Sequence, residues 1–167
     1  RQNGSIGTTA GSLFVWGINR GTGTARLAGG TPSLGGDVPF DSVVVMFPDG
    51  LLRVVTIPLA GAPTITNLAG GVTIDGDTLA ATVPLSLLFS MGFAPEDYTF
   101  TLWSRTRVNP LADGANSEIA DFAPNGAGFN ATAVPEPGTW LTMLVGFGLI
   151  GGAIRRRKAF ALTPLSS

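Results

Sequence analysis

The chain contains no cysteine and no histidine, and its only lysine is Lys158. Without cysteine, disulfides and thiolate metal sites are excluded. Without histidine, the commonest general base near neutral pH and the commonest metal ligand are missing. Ser-His-Asp and Cys-His arrangements therefore cannot be built. Lys158 stands in a basic block near the C-terminus, which removes an upstream Schiff-base or Ser-Lys site. Charge is scarce as well: 13% of the 167 residues are Asp, Glu, Lys or Arg, about half the usual share. No phosphate-binding glycine pattern occurs, because Gly21-Thr22-Gly23 is followed by Arg26 where the last glycine would stand. These absences lead us to expect that the protein is not an enzyme.

What is present is turn chemistry between short apolar runs. Gly 24 and Pro 12 make up roughly a fifth of the chain, too much for a helical bundle and too little for a collagen-like composition. Ser12 to Asn19 reads as a strand, dense in aromatic and β-branched residues. The stretch from Arg20 to Asp37 is glycine-rich and reads as a long loop. Val43 to Phe47, Pro48-Asp49-Gly50 and Leu51 to Ile57 form the clearest hairpin, with Pro and Gly placed for a turn. Thr64-Ile65-Thr66 and Val72-Thr73-Ile74 are short strands, and Asp75-Gly76 turns the chain into Asp77 to Val83. Pro84 to Phe89 suits one or two helical turns. From Tyr98 to Val108 the residues alternate, with Tyr98, Phe100 and Leu102 on one side and Trp103, Arg105 and Arg107 on the other. That pattern predicts a half-buried antiparallel strand. Asn109 to Asn130 reads as a loop anchored by Phe122. About seven short strands with Gly/Pro-rich connections predict an all-β fold, a small antiparallel β-sandwich.

Few residues in this region suggest chemistry. Paired carboxylates can cleave glycosidic bonds, and the pairs available are Asp37/Asp41, Asp75/Asp77 and Glu96/Asp97. Asp75-Gly76-Asp77 is more simply a turn, and Glu96-Asp97 after Pro95 a solvated loop. Calcium is the one metal this composition suits, since it takes oxygen ligands alone. The oxygen-rich stretch Asp113-Gly114-Ala115-Asn116-Ser117-Glu118 lacks the alternation of an EF-hand loop, so the expectation is no catalytic residue, no metal and no cofactor. Trp16 and Trp103 suit core packing better than a carbohydrate-binding surface.

The charge distribution directs attention to the C-terminus. Residues 1–138 hold six arginines and eleven carboxylates, a balance of −5, whereas residues 139–167 hold four cations and no carboxylate. A mildly acidic domain has no nucleic-acid footprint. Trp140 to Ile154 is an apolar stretch of 15 residues, about 22 Å of helix at ~1.5 Å per residue, short for a hydrocarbon core of ~30 Å. Trp140 suits one interface, and Arg155, Arg156, Arg157 and Lys158 suit the other by snorkelling. The positive-inside rule then places the basic block in the cytoplasm and residues 1–138 across the membrane. The chain starts at Arg1, and an exported N-terminal domain leads us to expect a removed or missing export signal upstream. Gly148 and Gly152 form a G-x-x-x-G pair, either a helix-packing face or part of the signal described next.

Val134-Pro135-Glu136-Pro137, Trp140, the glycine-rich span with Gly146 and Gly148, and Arg155-Arg156-Arg157 follow one another in fixed order. This region, roughly residues 134–158, resembles the PEP-CTERM sorting signal of exported proteins in Gram-negative bacteria. The resemblance implies that an exosortase-type membrane enzyme recognises Pro135-Glu136-Pro137 and cleaves nearby, with this chain as its substrate. The nine residues from Ala159 to Ser167 are a longer tail than the family leads one to expect. The series Gly76-Asp77-Thr78-Leu79, Val83-Pro84-Leu85, Gly92-Phe93, Trp103 and Asp121-Phe122-Ala123-Pro124 is loosely similar to ectodomains of PEP-CTERM proteins, with no defined activity attached. The expected organisation is an exported β domain (1–130), a linker with the PEP motif (131–138), a transmembrane helix (139–154) and a basic cytoplasmic tail (155–167). Expected partners are the lipid bilayer and the exosortase-type enzyme. Two roles stay open: a structural or binding protein of the cell envelope, in the membrane or released to the surface or matrix after processing, or an accessory single-helix subunit of an inner-membrane photosynthetic or respiratory complex, held by partner helices.

Overall fold

Among the described residues nine strands, all paired antiparallel, build the domain: β1 (Ser12–Asn19), β2 (Ser42–Met46), β3 (Leu52–Thr56), β4 (Thr64–Leu68), β5 (Val72–Asp75), β6 (Thr78–Ala81), β7 (Thr99–Thr106), β8 (Ile119–Ala123) and β9 (Phe129–Asn130). The computed structural model describes residues 11–34, 36–107, 115–125 and 128–131. Among these there are four short 3₁₀ turns and no α-helix. The chain divides into two compact units, Arg1–Ala131 and Thr132–Ser167; the strands belong to the first.

The main sheet runs in the order β4-β3-β2-β1-β7-β8, with β9 also on β7. Its centre is β1, where Trp16 lies opposite Val44 on one side and Leu102 on the other. The β2–β3 hairpin forms where its sequence directs. The Asp49 carboxylate accepts the Leu51 N–H at 3.0 Å, and Gly50 takes φ +89°, a conformation that favours glycine. The β5–β6 pair stands apart as a two-stranded hairpin, with Gly76 at φ +56° in the first central position of its two-residue turn.

The expected sandwich has two layers of strands; the structure distributes them as seven and two. The reason lies in how each face of the large sheet is covered. On one face, Ile18, Val44, Met46, Leu52 and Val54 pack with Val72, Ile74 and Leu79 of the small hairpin and with Leu87, Leu88 and Tyr98. On the other, Leu13, Val15 and Trp103 pack with Leu27, Val38 and Phe40 from the glycine-rich segment after β1. A full second sheet is unnecessary where loop side chains bury the same apolar area, each fully buried one contributing about 1.5–3 kcal/mol.

β7 alternates as expected, with Thr101 and Trp103 buried and Phe100, Leu102 and Ser104 partly exposed. One local expectation is corrected. The segment from Asn109 to Asn130, expected as loop, contributes β8 and β9. β8 is Ile-Ala-Asp-Phe-Ala, whose Ala and Asp are poor strand formers; pairing with β7 overrides that weakness. Phe122 is the anchor expected, its ring 6.0 Å from that of Trp103.

Gly17, in the middle of β1, marks a close approach. A Cβ built there would lie 2.6 Å from Cζ3 of Trp103. The indole is hemmed in by Phe40 at 5.5 Å and Phe122 at 6.0 Å between centroids. Gly17→Ala is therefore expected to destabilise by about 1–3 kcal/mol through overpacking, measured as a lower denaturant midpoint. An unchanged midpoint would show that the indole moves aside freely.

Candidate functional site

An apolar cleft of about 430 Å³ opens on the hairpin-covered face. It forms because β5–β6 covers only part of the large sheet. The sheet supplies Trp16, Val44 and Phe100 as floor, the hairpin supplies Leu79, and Phe129 closes the far side. The three aromatic rings hold one another: Trp16 meets Phe100 edge-on at 6.4 Å and Phe129 at 6.0 Å, an arrangement favoured by the ring quadrupoles. Phe129 remains 39% exposed at the mouth. Among the described residues no titratable side chain lines the cleft. It can bury an apolar group, but it offers nothing to transfer a proton.

The strongest polar arrangement lies elsewhere and is structural in its contacts. Arg20 and Asp41 form an ion pair, Nε to Oδ1 at 2.8 Å, with both side chains fully buried. Asp41 Oδ2 accepts the backbone N–H of Arg20 at 2.9 Å and of Thr22 at 3.1 Å, and the Thr22 hydroxyl at 3.3 Å. Arg20 donates from Nη1 to the Phe89 carbonyl at 3.1 Å and from Nη2 to the Met91 sulfur at 3.0 Å. Its guanidinium lies 5.0 Å from the Phe89 ring centroid. The pair thus ties the end of β1 to the segment before β2 and to residues 89–91. Sequence reading placed Asp41 beside Asp37 and did not find its true partner, 21 residues away.

The carboxylate pairs do not assemble a hydrolytic site. Asp37 is exposed while Asp41 is buried on Arg20; Asp75 and Asp77 are exposed in the β5–β6 turn; Glu96 and Asp97 are exposed in a 3₁₀ turn. In the oxygen-rich stretch, Asp113 and Gly114 fall outside the described residues. Asn116 donates to the carbonyls of Leu27 and Pro32, both at 2.8 Å, and Glu118 pairs with Arg105 at 2.6 Å. Among the described residues no group of three or more His, Cys, Asp or Glu could hold a metal ion. Trp103 is a core residue, and Trp16 is partly exposed in the apolar cleft.

The residues expected to form the sorting signal (Pro135, Glu136, Pro137, Trp140, Gly146, Gly148, Arg155, Arg156 and Arg157) and the packing pair Gly148/Gly152 lie outside the described residues. Among the described residues no helix is long and apolar enough to cross a membrane; the expected span, 139–154, lies beyond them.

The described residues form an all-β domain, and the sequence that follows it is apolar and then basic. Residues 133–158 match the family model of the PEP-CTERM protein-sorting motif; the chain carries this motif. It is accordingly an exported, membrane-anchored protein sorted by an exosortase-type enzyme. No curated protein and no solved structure matches the chain.

Proposed function

We propose that the protein is a non-catalytic component of the bacterial cell envelope with a structural or binding role. The observation that carries this reading is the sorting motif at residues 133–158. The acidic β domain stands on the periplasmic side of the inner membrane, a single helix near residues 139–154 anchors it, and the basic tail is cytoplasmic. This orientation follows from the cluster Arg155 to Lys158. Processing near Pro135-Glu136-Pro137 frees the domain from its anchor for the surface or matrix. The apolar cleft is its binding element, because a concavity without titratable groups suits capture better than chemistry. Mass spectrometry of the protein from native cells is expected to find a form ending close to Pro137. An intact C-terminus through Ser167 as the sole species would refute processing.

The pair Gly148/Gly152 favours a second reading, an accessory subunit of an inner-membrane complex with its helix packed on partner helices. Native membranes solubilised in mild detergent discriminate the two. Co-migration with a large complex supports the subunit role, and migration as a free monomer counts against it.

A further inference from the structure

We infer that the sheet face opposite the apolar cleft carries a second binding site, for a small organic carboxylate with an apolar body. The site is a cavity of about 210 Å³, below the ~300–1,000 Å³ of sites for drug-sized ligands. Its floor is apolar and includes the buried Leu13, Val15 and Trp103. Its polar lining is Arg53, Arg105 and Arg107, and among the described residues no carboxylate lines it. The domain is short of positive charge: residues 1–138 contain six arginines against eleven carboxylates. Half of those arginines line this one cavity, although Arg53 belongs to β3 and Arg105 to β7, strands separated in the sheet by β2 and β1, and Arg107 follows the end of β7.

The way the arginines are held leaves donors available. Arg53 and Arg107 lie over the same ring, with guanidinium carbons 5.2 and 5.8 Å from the Phe47 centroid. Contact with a ring face does not use the guanidinium N–H groups. Arg53 donates from Nε to Asn67 Oδ1 at 2.9 Å, and Arg105 is oriented by Glu118. The Arg107 side chain is exposed and has no hydrogen bond or ion pair among the described residues. The surplus charge at the rim therefore rests on Arg53 and Arg107.

Trp103 also lines the cavity and extends its apolar floor, while its Nε1 is buried without a hydrogen-bond partner. Guanidinium forks match a carboxylate geometrically and are weakly hydrated, so they bind one readily over an apolar floor. The same floor takes the apolar body of the ligand and disfavours small hydrophilic anions.

This site does not depend on the proposed envelope role, and failure of either reading leaves the other standing. The test uses the full chain in phosphatidylcholine nanodiscs, with empty nanodiscs as reference. Three isosteric probes are titrated: phenylacetate, 2-phenylethanol and 2-phenylethylammonium. Phenylacetate is expected to perturb tryptophan fluorescence saturably and to bind at least about tenfold more tightly than the alcohol, with no saturable response to the cation. The double variant Arg53→Gln/Arg107→Gln is expected to lose about tenfold in phenylacetate affinity while keeping its unfolding midpoint, because both side chains sit at the rim. Arg107→Gln alone is expected to lose a smaller share. Equal affinity for acid and alcohol, unchanged affinity in the double variant, or no saturable binding of phenylacetate would each overturn the assignment.

Discussion

Asp41→Ala is expected to destabilise the domain by about 3–5 kcal/mol, the usual effect of stranding one member of a buried ion pair. Against a typical total of ~5–15 kcal/mol, that leaves a population of unfolded chain at equilibrium. The size follows from the burial: the Arg20 side chain is fully buried, and alanine leaves its charge without a counter-ion. The same substitution removes the acceptor of two backbone N–H groups, those of Arg20 and Thr22, and an unmet buried donor costs about 1–3 kcal/mol. Asp41→Asn keeps an oxygen acceptor and loses the charge, so its effect is expected to be smaller. The double variant Arg20→Met/Asp41→Leu is expected to recover part of the loss, because it strands no charge but still leaves the two N–H groups unsatisfied. Denaturant midpoints of the four proteins measure the series. If Asp41→Ala shifts stability by less than about 1 kcal/mol, water reaches the Arg20 guanidinium and the pair is not the tie described.

That pair shows what a sequence of this kind reveals and what it withholds. β1, β2, β3 and β7 were legible because each carries its own pattern, alternation or a Pro-Asp-Gly turn, within a few residues. β8 was not, since Ile-Ala-Asp-Phe-Ala gains its strand conformation from β7 rather than from its own propensity. The Arg20–Asp41 contact spans a glycine-rich segment whose path no local rule specifies. Alternation placed Arg105 and Arg107 on one side of β7, but Arg53 joins them only through the order β3-β2-β1-β7. The cleft around Trp16 likewise depends on a hairpin that covers part of a sheet, which follows from tertiary packing alone. The sorting motif is the opposite case. Its information lies in a contiguous string, so the motif at residues 133–158 was legible without any tertiary contact.

That string also admits the sharpest functional test, because its three central residues contribute by different physics. Glu136 is the last Asp or Glu in the sequence, with cations following from Arg155 onward. Its hydrogen bonds and charge pairing with a processing enzyme are of the kind worth about 1.5–3 kcal/mol. Pro135 and Pro137 act by restricting the chain before it binds, and removing such a restriction costs about 0.4–1 kcal/mol each. Glu136→Ala is therefore expected to slow processing by roughly 10- to 150-fold, and each Pro→Ala by only about two- to fivefold. Pulse-chase labelling in the native host, following conversion of the full chain to the shortened form, measures both. The triple substitution Pro135→Ala/Glu136→Ala/Pro137→Ala is expected to hold the protein in the membrane as the full chain. A processing rate unchanged by Glu136→Ala would mean that the enzyme reads the apolar span and the basic block instead, and the proline-flanked carboxylate would then be a spacer.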